Sequence, residues 1–408
     1  MRTYAVVGAG GRALQMFGIP ISRDHGDTAR LVGVYDPNPK RARIFSERCG
    51  GTPAFDGFDA MLDAARPDAV IVATIDARHH EYVVRALAKG CDVVCEKPLT
   101  TDLAKGRAIL AERDRTGRDV AVTFNMRFMP YMARVKQLLA AGAIGEVTAV
   151  RLEWLLDRSH GADYFRRWHR YRRNSGGLQI HKASHHFDVV DWWLDDAPVR
   201  VYATGALRFY GANGPFRSER CTGCPHAARC AFYWDLDASP FDRALYRETE
   251  DADGYFRDRC VFAEDIDIED TLAAQVSYAR GATLSYTLCA YAPYEGFRAT
   301  IDGREGRIEC GEFYSGPRAA EPDGVIEVFA PDGARTVHRV PKHGVVHGGG
   351  DERLRAMLFG TGPFDDPLGR KADLLDGLRS LSVGDGINRS LRTGRPVRLT
   401  DAWDIIEE

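Results

Sequence analysis

Val6-Val7-Gly8-Ala9-Gly10-Gly11-Arg12-Ala13 decides the fold. The valines end a short apolar run that begins at Tyr4, and the glycines follow at once. The stretch fits G-x-G-x-x-G/A with Ala13 in the third position. Gly8 and Gly10 let the backbone turn tightly and approach a pyrophosphate. Gly11, Arg12 and Ala13 open a helix whose unpaired N–H groups and positive dipole end face the phosphates. Asp36 ends the next apolar run, Leu31–Tyr35. A carboxylate there accepts both ribose hydroxyls and repels a 2′-phosphate, so the expected cofactor is NAD rather than NADP. The alternative, a glycine turn beside a solvated aspartate, does not explain why both features flank consecutive strands.

Outward from this motif, short β-branched runs alternate with helical patterns. Strands are expected at Tyr4–Val7, Leu31–Tyr35, Ala69–Ala73, Val93–Cys95 and Val120–Phe124. Helices are expected at Pro39–Cys49, Phe58–Ala65, Arg78–Lys89 and Asp102–Thr116. That alternation predicts a parallel, doubly wound sheet. Beyond about residue 145 the pattern becomes strand after strand with short turns: Val147–Leu155, Val199–Phe209, Thr271–Ala279, Thr283–Ala290, Phe297–Ile301 and Arg307–Cys310. Glycine-bearing connections such as Ala279-Arg280-Gly281-Ala282 suit hairpins. The expectation is an α/β Rossmann domain over 1–124, then an α+β domain over 125–408 with a large, mainly antiparallel open sheet. A polar, cysteine-containing insertion at about 211–262 interrupts that sheet, and Leu374–Leu391 reads as a closing helix.

The 408 residues are 44% hydrophobic and carry a formal net charge of -3, so a sizeable core is expected. The near-balance of charge gives no reason to expect nucleic acid or a membrane surface as partner. No apolar run reaches the roughly 20 residues that span a bilayer. The first strand begins at Thr3, which leaves no room for a signal peptide, and the expected location is cytoplasmic. An open antiparallel sheet usually seeks a partner face, so a homodimer or homotetramer is expected.

Cys95-Glu96-Lys97-Pro98-Leu99 follows the fourth strand. It resembles the E-K-P signature of the glucose–fructose oxidoreductase, inositol dehydrogenase and rhizopine-catabolism (Gfo/Idh/MocA) superfamily. Ala73-Thr74 with His79 resembles the A-T-P-N-x-x-H segment, with Ile75 and Asp76 in place of Pro-Asn. Asn125, Arg127 and Pro130 resemble the N-x-R-x-x-P step into the second domain, and Gly142–Val147 resembles the G-x-I-G-E-V turn. Ser175-Gly176-Gly177 with His185 and Asp188 resembles the G-G-x-x-x-D-x-G-x-H-x-x-D helix. The resemblance covers nearly the whole chain. It implies an NAD-dependent sugar or polyol enzyme, with Thr74, His79, Glu96, Lys97 and Asn125 joining the cofactor site. It also implies that Lys97 and His185 carry the proton chemistry. Alcohol oxidation needs a base for the hydroxyl proton and a group that stabilises the alkoxide, and imidazole and ammonium suit those tasks.

The sequence departs from the family pattern at His181, where an aspartate is usual, and Lys182 follows it. Positions 181, 185 and 188 are expected on one helical face, and His181 and Lys182 join the candidate catalytic group. Upstream stands His160-Gly161-Ala162-Asp163-Tyr164-Phe165-Arg166-Arg167-Trp168-His169-Arg170. Read as a basic loop, it offers Tyr164, Trp168 and His169 to stack on a sugar, and Arg166 and Arg170, with Lys182, to clamp an anion. His347, in a glycine-rich stretch, is a further substrate candidate. Three readings stand. One is a redox-neutral, sulfoquinovosidase-like hydrolase that oxidises C3 of an anionic glycoside, eliminates, hydrates and reduces again. Another is an ordinary sugar or inositol dehydrogenase. The third is a catalytically silent NAD-binding regulator. Finally, Cys221, Cys224, Cys230 and Cys260, with His226 as an alternative ligand, are expected either to hold a structural zinc that staples the insertion or to stand as free thiols.

Overall fold

The structure is a computed structural model and describes residues 1–342 and 346–399; for Val346 and His347 it describes the backbone alone. The expectation for His347 therefore falls outside the described side chains. Five strands, β1 (Arg2–Val7), β2 (Ala29–Tyr35), β3 (Ala69–Val72), β4 (Asp92–Cys95) and β5 (Val120–Val122), form a sheet in the order β2-β1-β3-β4-β5. Every pair is parallel. All four residues of β3 are buried, as continuous apolar runs require when helices cover both faces. The chain leaves β1 toward β2 on one side and meets β3 on the other. The crevice at that reversal opens at the carboxyl ends of β1 and β3, where Gly8 and Thr74 stand.

Local signals set the helix ends. Asn38 caps the helix Pro39–Arg48 by accepting from the amides of Lys40 and Arg41. Asp102 caps Leu103–Thr116, which Gly117 ends at φ 64°.

The second sheet has nine strands: β6 (Val147–Asp157), β7 (Pro198–Ala206), β8 (Thr271–Tyr278), β9 (Thr283–Ala292), β10 (Gly296–Gly303), β11 (Gly306–Phe313), β12 (Asp323–Phe329), β13 (Arg335–Pro341) and β14 (Val397–Arg398). Their order is β13-β12-β11-β10-β6-β9-β8-β7-β14. β6 and β9 run parallel and the other pairs are antiparallel. Alternate residues of β8, Leu272, Ala274, Val276 and Tyr278, are buried, and the inner face packs on the helices Pro130–Ala140, Ser184–Leu194 and Leu374–Thr393. Among the described residues no helix is long and apolar enough to cross a membrane.

Three features differ from the sequence expectations. β12, β13 and β14 extend the sheet beyond the strands foreseen. The run expected as a basic loop contains a helix, Arg158–Arg166, because Asp157 caps it with hydrogen bonds of 2.9 Å from the amides of Ser159 and His160. The helix expected to carry residues 181, 185 and 188 on one face is broken: Leu178–His181 stops, Lys182 and Ala183 turn, and Ser184–Leu194 begins.

One buried ion pair ties the segment just after β5 to the helix Ser184–Leu194. Arg127, just after β5, gives Nε and Nη2 to the two carboxylate oxygens of Asp188 at 2.9 and 2.6 Å. Their side chains are 4% and 1% exposed. Asp376 of the helix Leu374–Thr393 lies 3.2 Å from the same guanidinium. That helix also holds the segment before His185: Asn388 Nδ2 donates to the Gly176 carbonyl at 2.7 Å and Ser380 to the Ser184 carbonyl at 2.8 Å. Burial pushes the Asp188 carboxyl up to about 7, against the pull of Arg127. Arg127→Met therefore leaves a buried carboxylate unpaired and should cost about 3–5 kcal/mol in denaturant unfolding, while Arg127→Met with Asp188→Leu should recover most of the loss. Equal stability of the single variant and the wild type would refute this account of the pair.

Candidate functional site

The cofactor half begins at Gly8, whose φ of 90° suits glycine. A Cβ there would meet the Ala73 carbonyl oxygen at 2.5 Å. At Gly10 a Cβ would have nothing nearer than 4.0 Å, so the loop presents open space where its side chains are missing. Ala13 is buried and begins the helical turn Ala13–Gly18. The Asp36 carboxylate accepts from the Ala9 amide at 2.7 Å and the Asn38 amide at 2.8 Å, which orients it beside the glycine loop. Burial raises its pKa and those two hydrogen bonds lower it.

Arg12 crosses the site. Its Nε lies 2.7 Å from Glu96 and its Nη1 2.8 Å from Asp351. Asn125 Nδ2 donates to Asp351 at 2.7 Å, and Asn125 Oδ1 is buried with no protein partner. The open cradle and this orphaned acceptor fit a dinucleotide with a carboxamide at one end. Thr74 turns its hydroxyl to the Ile75 carbonyl. His79 lies behind the loops, its ring nitrogens 2.9 Å from the Pro98 carbonyl and 3.2 Å from that of Thr74. It staples the ends of β3 and β4 together and is 1% exposed.

The insertion roofs the glycine loop. The Gly11 amide donates to the Tyr246 hydroxyl at 3.0 Å, and Asn38 Nδ2 donates to the Thr249 carbonyl at 2.9 Å. A cavity of about 810 Å³ opens here, with Gly11, Arg12, Arg167, Tyr246 and Arg257 in its lining.

The candidate catalytic half gathers where β4 meets the Leu178–Leu194 region. Lys97 is half-buried, and its Nζ donates to the His181 carbonyl at 3.0 Å. Burial pushes the Lys97 ammonium down to about 8, with Asp76 pulling up and Lys182 adding to the depression. The His181 ring is 2.6 Å, Nδ1 to Oδ2, from Asp76. Burial and the Lys97 charge hold this imidazole well below its ordinary range, while burial raises the Asp76 carboxyl against the pull of Lys97. His185 is buried in the first turn of Ser184–Leu194, its ring 6.1 Å from that of Phe124. Asp188, expected on the same face, belongs instead to the Arg127 pair.

Around this centre the aromatic residues form a wall. His169, Tyr164 and Trp168 stand 4.1, 5.4 and 5.6 Å from His181, centroid to centroid. Lys182 Nζ lies 5.3 Å from the centre of the Trp154 ring. Burial lowers its pKa and Glu295 opposes. Glu295 in turn bonds His160 Nδ1 at 2.8 Å, and His160 Nε2 meets the Tyr164 hydroxyl at 2.8 Å.

The structure separates the arginines that the sequence grouped. Arg166 donates to the Phe232 carbonyl at 2.7 Å, and Arg170, 1% exposed, pairs with Asp265 at 2.7 Å. Both are tied to the insertion and its return, so the expected clamp from this pair is not formed. Arg167 and Arg257 line the cavity in their place and share Asp163. Burial raises that carboxyl, but Arg257 and Arg167 win and bring it to about 2.

Cys221, Cys224, Cys230 and Cys260 surround a small cavity of about 20 Å³. Among the described residues no group of three or more His, Cys, Asp or Glu side chains is placed to hold a metal ion. The structural zinc is therefore not supported. Packing and hydrogen bonds close the insertion instead. Phe232 lies edge-on to Phe262 at 5.4 Å, and the fully buried Asp258 accepts from Arg220 and from the amide and hydroxyl of Thr222.

Sequence reasoning missed Asp76, Glu295, Arg167 and Arg257 as site residues. Asp76 had a signal, since it stands where the family pattern has Asn, and Arg167 lies in the arginine run itself.

Comparison with known proteins identifies the family and the fold. An oxidoreductase family with an NAD-binding Rossmann fold matches residues 2–124, and the C-terminal alpha/beta domain of that family matches residues 136–399. The Bacillus subtilis protein named "Putative oxidoreductase YteT" is 37% identical over 99% of this chain and 99% of its own. Inositol 2-dehydrogenase of Rhizobium meliloti is 32% identical over 44% of this chain and 52% of its own. The crystal structure of the WlbA dehydrogenase from Bordetella pertussis, in complex with NADH and UDP-GlcNAcA, covers 98% of each chain at TM-score 0.66 and 21% identity, which shows a shared fold. With the glycine loop, the E-K-P turn and the two sheets in place, the chain belongs to the Gfo/Idh/MocA oxidoreductase family and is an NAD-dependent enzyme of it.

Proposed function

We propose that the enzyme oxidises a secondary hydroxyl of a sugar or sugar glycoside. The observation that carries this reading is the half-buried Lys97, held by the His181 carbonyl beside two imidazoles and next to the cofactor-binding loops. The inositol dehydrogenase among the relatives supports a cyclic polyol as substrate class. Bound NAD supplies the hydride acceptor. Lys97, as ammonium, donates a hydrogen bond to the substrate oxygen and stabilises its developing negative charge. His185 takes the hydroxyl proton, and the carbon–oxygen double bond forms as the carbon loses its hydride. Tyr164 and Trp168 supply the apolar faces on which a sugar ring stacks. Asp36 holds the adenosine ribose and selects NAD. The ordinary dehydrogenase is favoured because cations of the cleft have acidic neighbours, Lys97 with Asp76, Lys182 with Glu295 and Arg167 with Asp163. That balance suits a neutral substrate.

A second reading, the redox-neutral hydrolysis of an anionic glycoside such as a sulfoquinovoside, rests on Lys182. Its side chain is buried, and its ammonium stands 5.3 Å from the centre of the Trp154 ring. A sulfonate or carboxylate on the sugar would complete it.

Asp36 should make NAD bind more tightly than NADP by roughly tenfold or more, the scale of one charge-assisted contact of about 1.5–3 kcal/mol. Titration of both cofactors measures this, and equal affinity removes Asp36 from the selection. Lys97→Ala and His185→Ala should each keep NAD affinity and lower turnover by roughly a hundredfold or more. Because Lys97 must be charged to do its work, kcat/KM for the wild type should fall as pH rises through about 8. A flat profile there, or normal turnover in either variant, counts against the assignment. The two readings part on a matched pair of sugars that differ only in a hydroxyl or an anion at C6. If Lys182 binds an anion, the charged member should be preferred more than about tenfold, with Lys182→Ala erasing the preference. NADH release from the neutral member, equal in both proteins, favours the dehydrogenase.

A further inference from the structure

Asp76 and His181 are two positions at which the sequence leaves the family pattern, and in the fold they touch. Asp76 opens the turn Asp76–Arg78 after β3, and His181 ends the helix Leu178–His181 below the second sheet. Their contact of 2.6 Å joins the two halves of the protein at the centre of the site. Both residues are buried, at 2% and 9% exposure. The carbonyl of the same His181 accepts from Lys97. One residue is thus held by its backbone from the end of β4 and by its ring from the end of β3.

We infer that Asp76 is a positioning residue that fixes His181 with its proton on Nδ1, so that Nε2 is presented as an acceptor to a substrate hydroxyl. This rests on the sugar-oxidation reading above. The chemistry follows from the pair. The Lys97 ammonium favours the ionised form of Asp76 against burial, and the carboxylate accepts a hydrogen bond from Nδ1–H, so the neutral ring keeps its lone pair on Nε2. The aromatic wall of Tyr164, Trp168 and His169 limits the directions from which a hydroxyl reaches it. With His185 as a second imidazole, the site takes substrates that present two neighbouring hydroxyls, one losing its proton to His185 and the other donating to His181. The substrate class is therefore a vicinal diol within a ring. Removing the neighbouring hydroxyl leaves Nε2 desolvated and unpaired, which a simple secondary alcohol cannot repair.

The test uses the NAD-loaded enzyme with nitrogen-15 in its histidines. Long-range nitrogen–proton spectra read the His181 tautomer directly, with His181→Asp locating its signals. Wild type should show the proton on Nδ1. Asp76→Ala and the near-isosteric Asp76→Asn should shift the ring toward the other tautomer or a mixture, with NAD affinity unchanged. In turnover, each Asp76 variant should lose at least about tenfold in kcat on a cyclic vicinal diol. The double variant Asp76→Asn with His181→Asp, which puts the carboxylate on the other partner, should exceed His181→Asp alone. An unaltered tautomer in both Asp76 variants, or wild-type kcat in them, overturns the inference. If the tautomer shifts as expected while wild type oxidises no sugar, the positioning role stands and the substrate reading fails.

Discussion

The placement of the whole site depends on the buried pair between Arg127 and Asp188. The candidate site's side chains come from two sources that no local signal aligns. Asp76 and Lys97 project from the ends of parallel strands, whereas His181 and His185 belong to helices beneath the antiparallel sheet. Both guanidinium hydrogen bonds fall inside a region closed to solvent, where ionic geometry tolerates little displacement. Asp376 extends the pair to the closing helix, which in turn holds Gly176 and Ser184 through Asn388 and Ser380. The two segments that flank His181 are therefore pinned from one side, and Asp76 and Lys97 complete the grip from the other.

Electrostatic economy runs through the cleft. Burial works against every charge there, and the structure answers by placing acidic side chains near the cations. Asp163 serves both Arg167 and Arg257, and Glu295 bonds His160 while its charge favours the Lys182 ammonium. A lysine near its titration point and two imidazoles held by their neighbours give the site proton donors and acceptors within one small volume. Such crowding of perturbed groups is costly for folding, and it is concentrated where the two halves of the protein meet.

Much of the cofactor half was legible in the sequence because its determinants are local. A strand, a glycine turn and a helix start are consecutive in the chain, and Asp36 follows from the end of the next strand. Lys97 and His185 stand out in the sequence through their ordered motifs. The contacts that join Asp76 to His181 and Glu295 to His160 span 105 and 135 positions, and no periodicity encodes them. The arginine run misled for a related reason. Once Asp157 starts a helix at Arg158, the turn of that helix decides which arginine faces the cavity, and it chooses Arg167 over Arg166. The cysteines were over-read: shared residence around one cavity does not aim thiols at a common centre. β12 and β13 escaped notice because their outer residues are charged and half-exposed, which blurs the alternation of a strand.

That last feature has a bearing on how the protein survives at high concentration. Among the described residues, a sheet nine strands wide ends in two borders with no further strand beside them, and such a border can recruit a strand from a neighbouring molecule. At one border β13 carries the exposed Arg335 and Arg339, paired with Glu327 and Asp323 of β12, and finishes on Pro341, which has no amide to offer. At the other, β14 is two residues long and too short to template an addition. Growth of the sheet is thereby discouraged at both borders, so a broad β-surface can serve as a platform for chemistry without seeding fibrils.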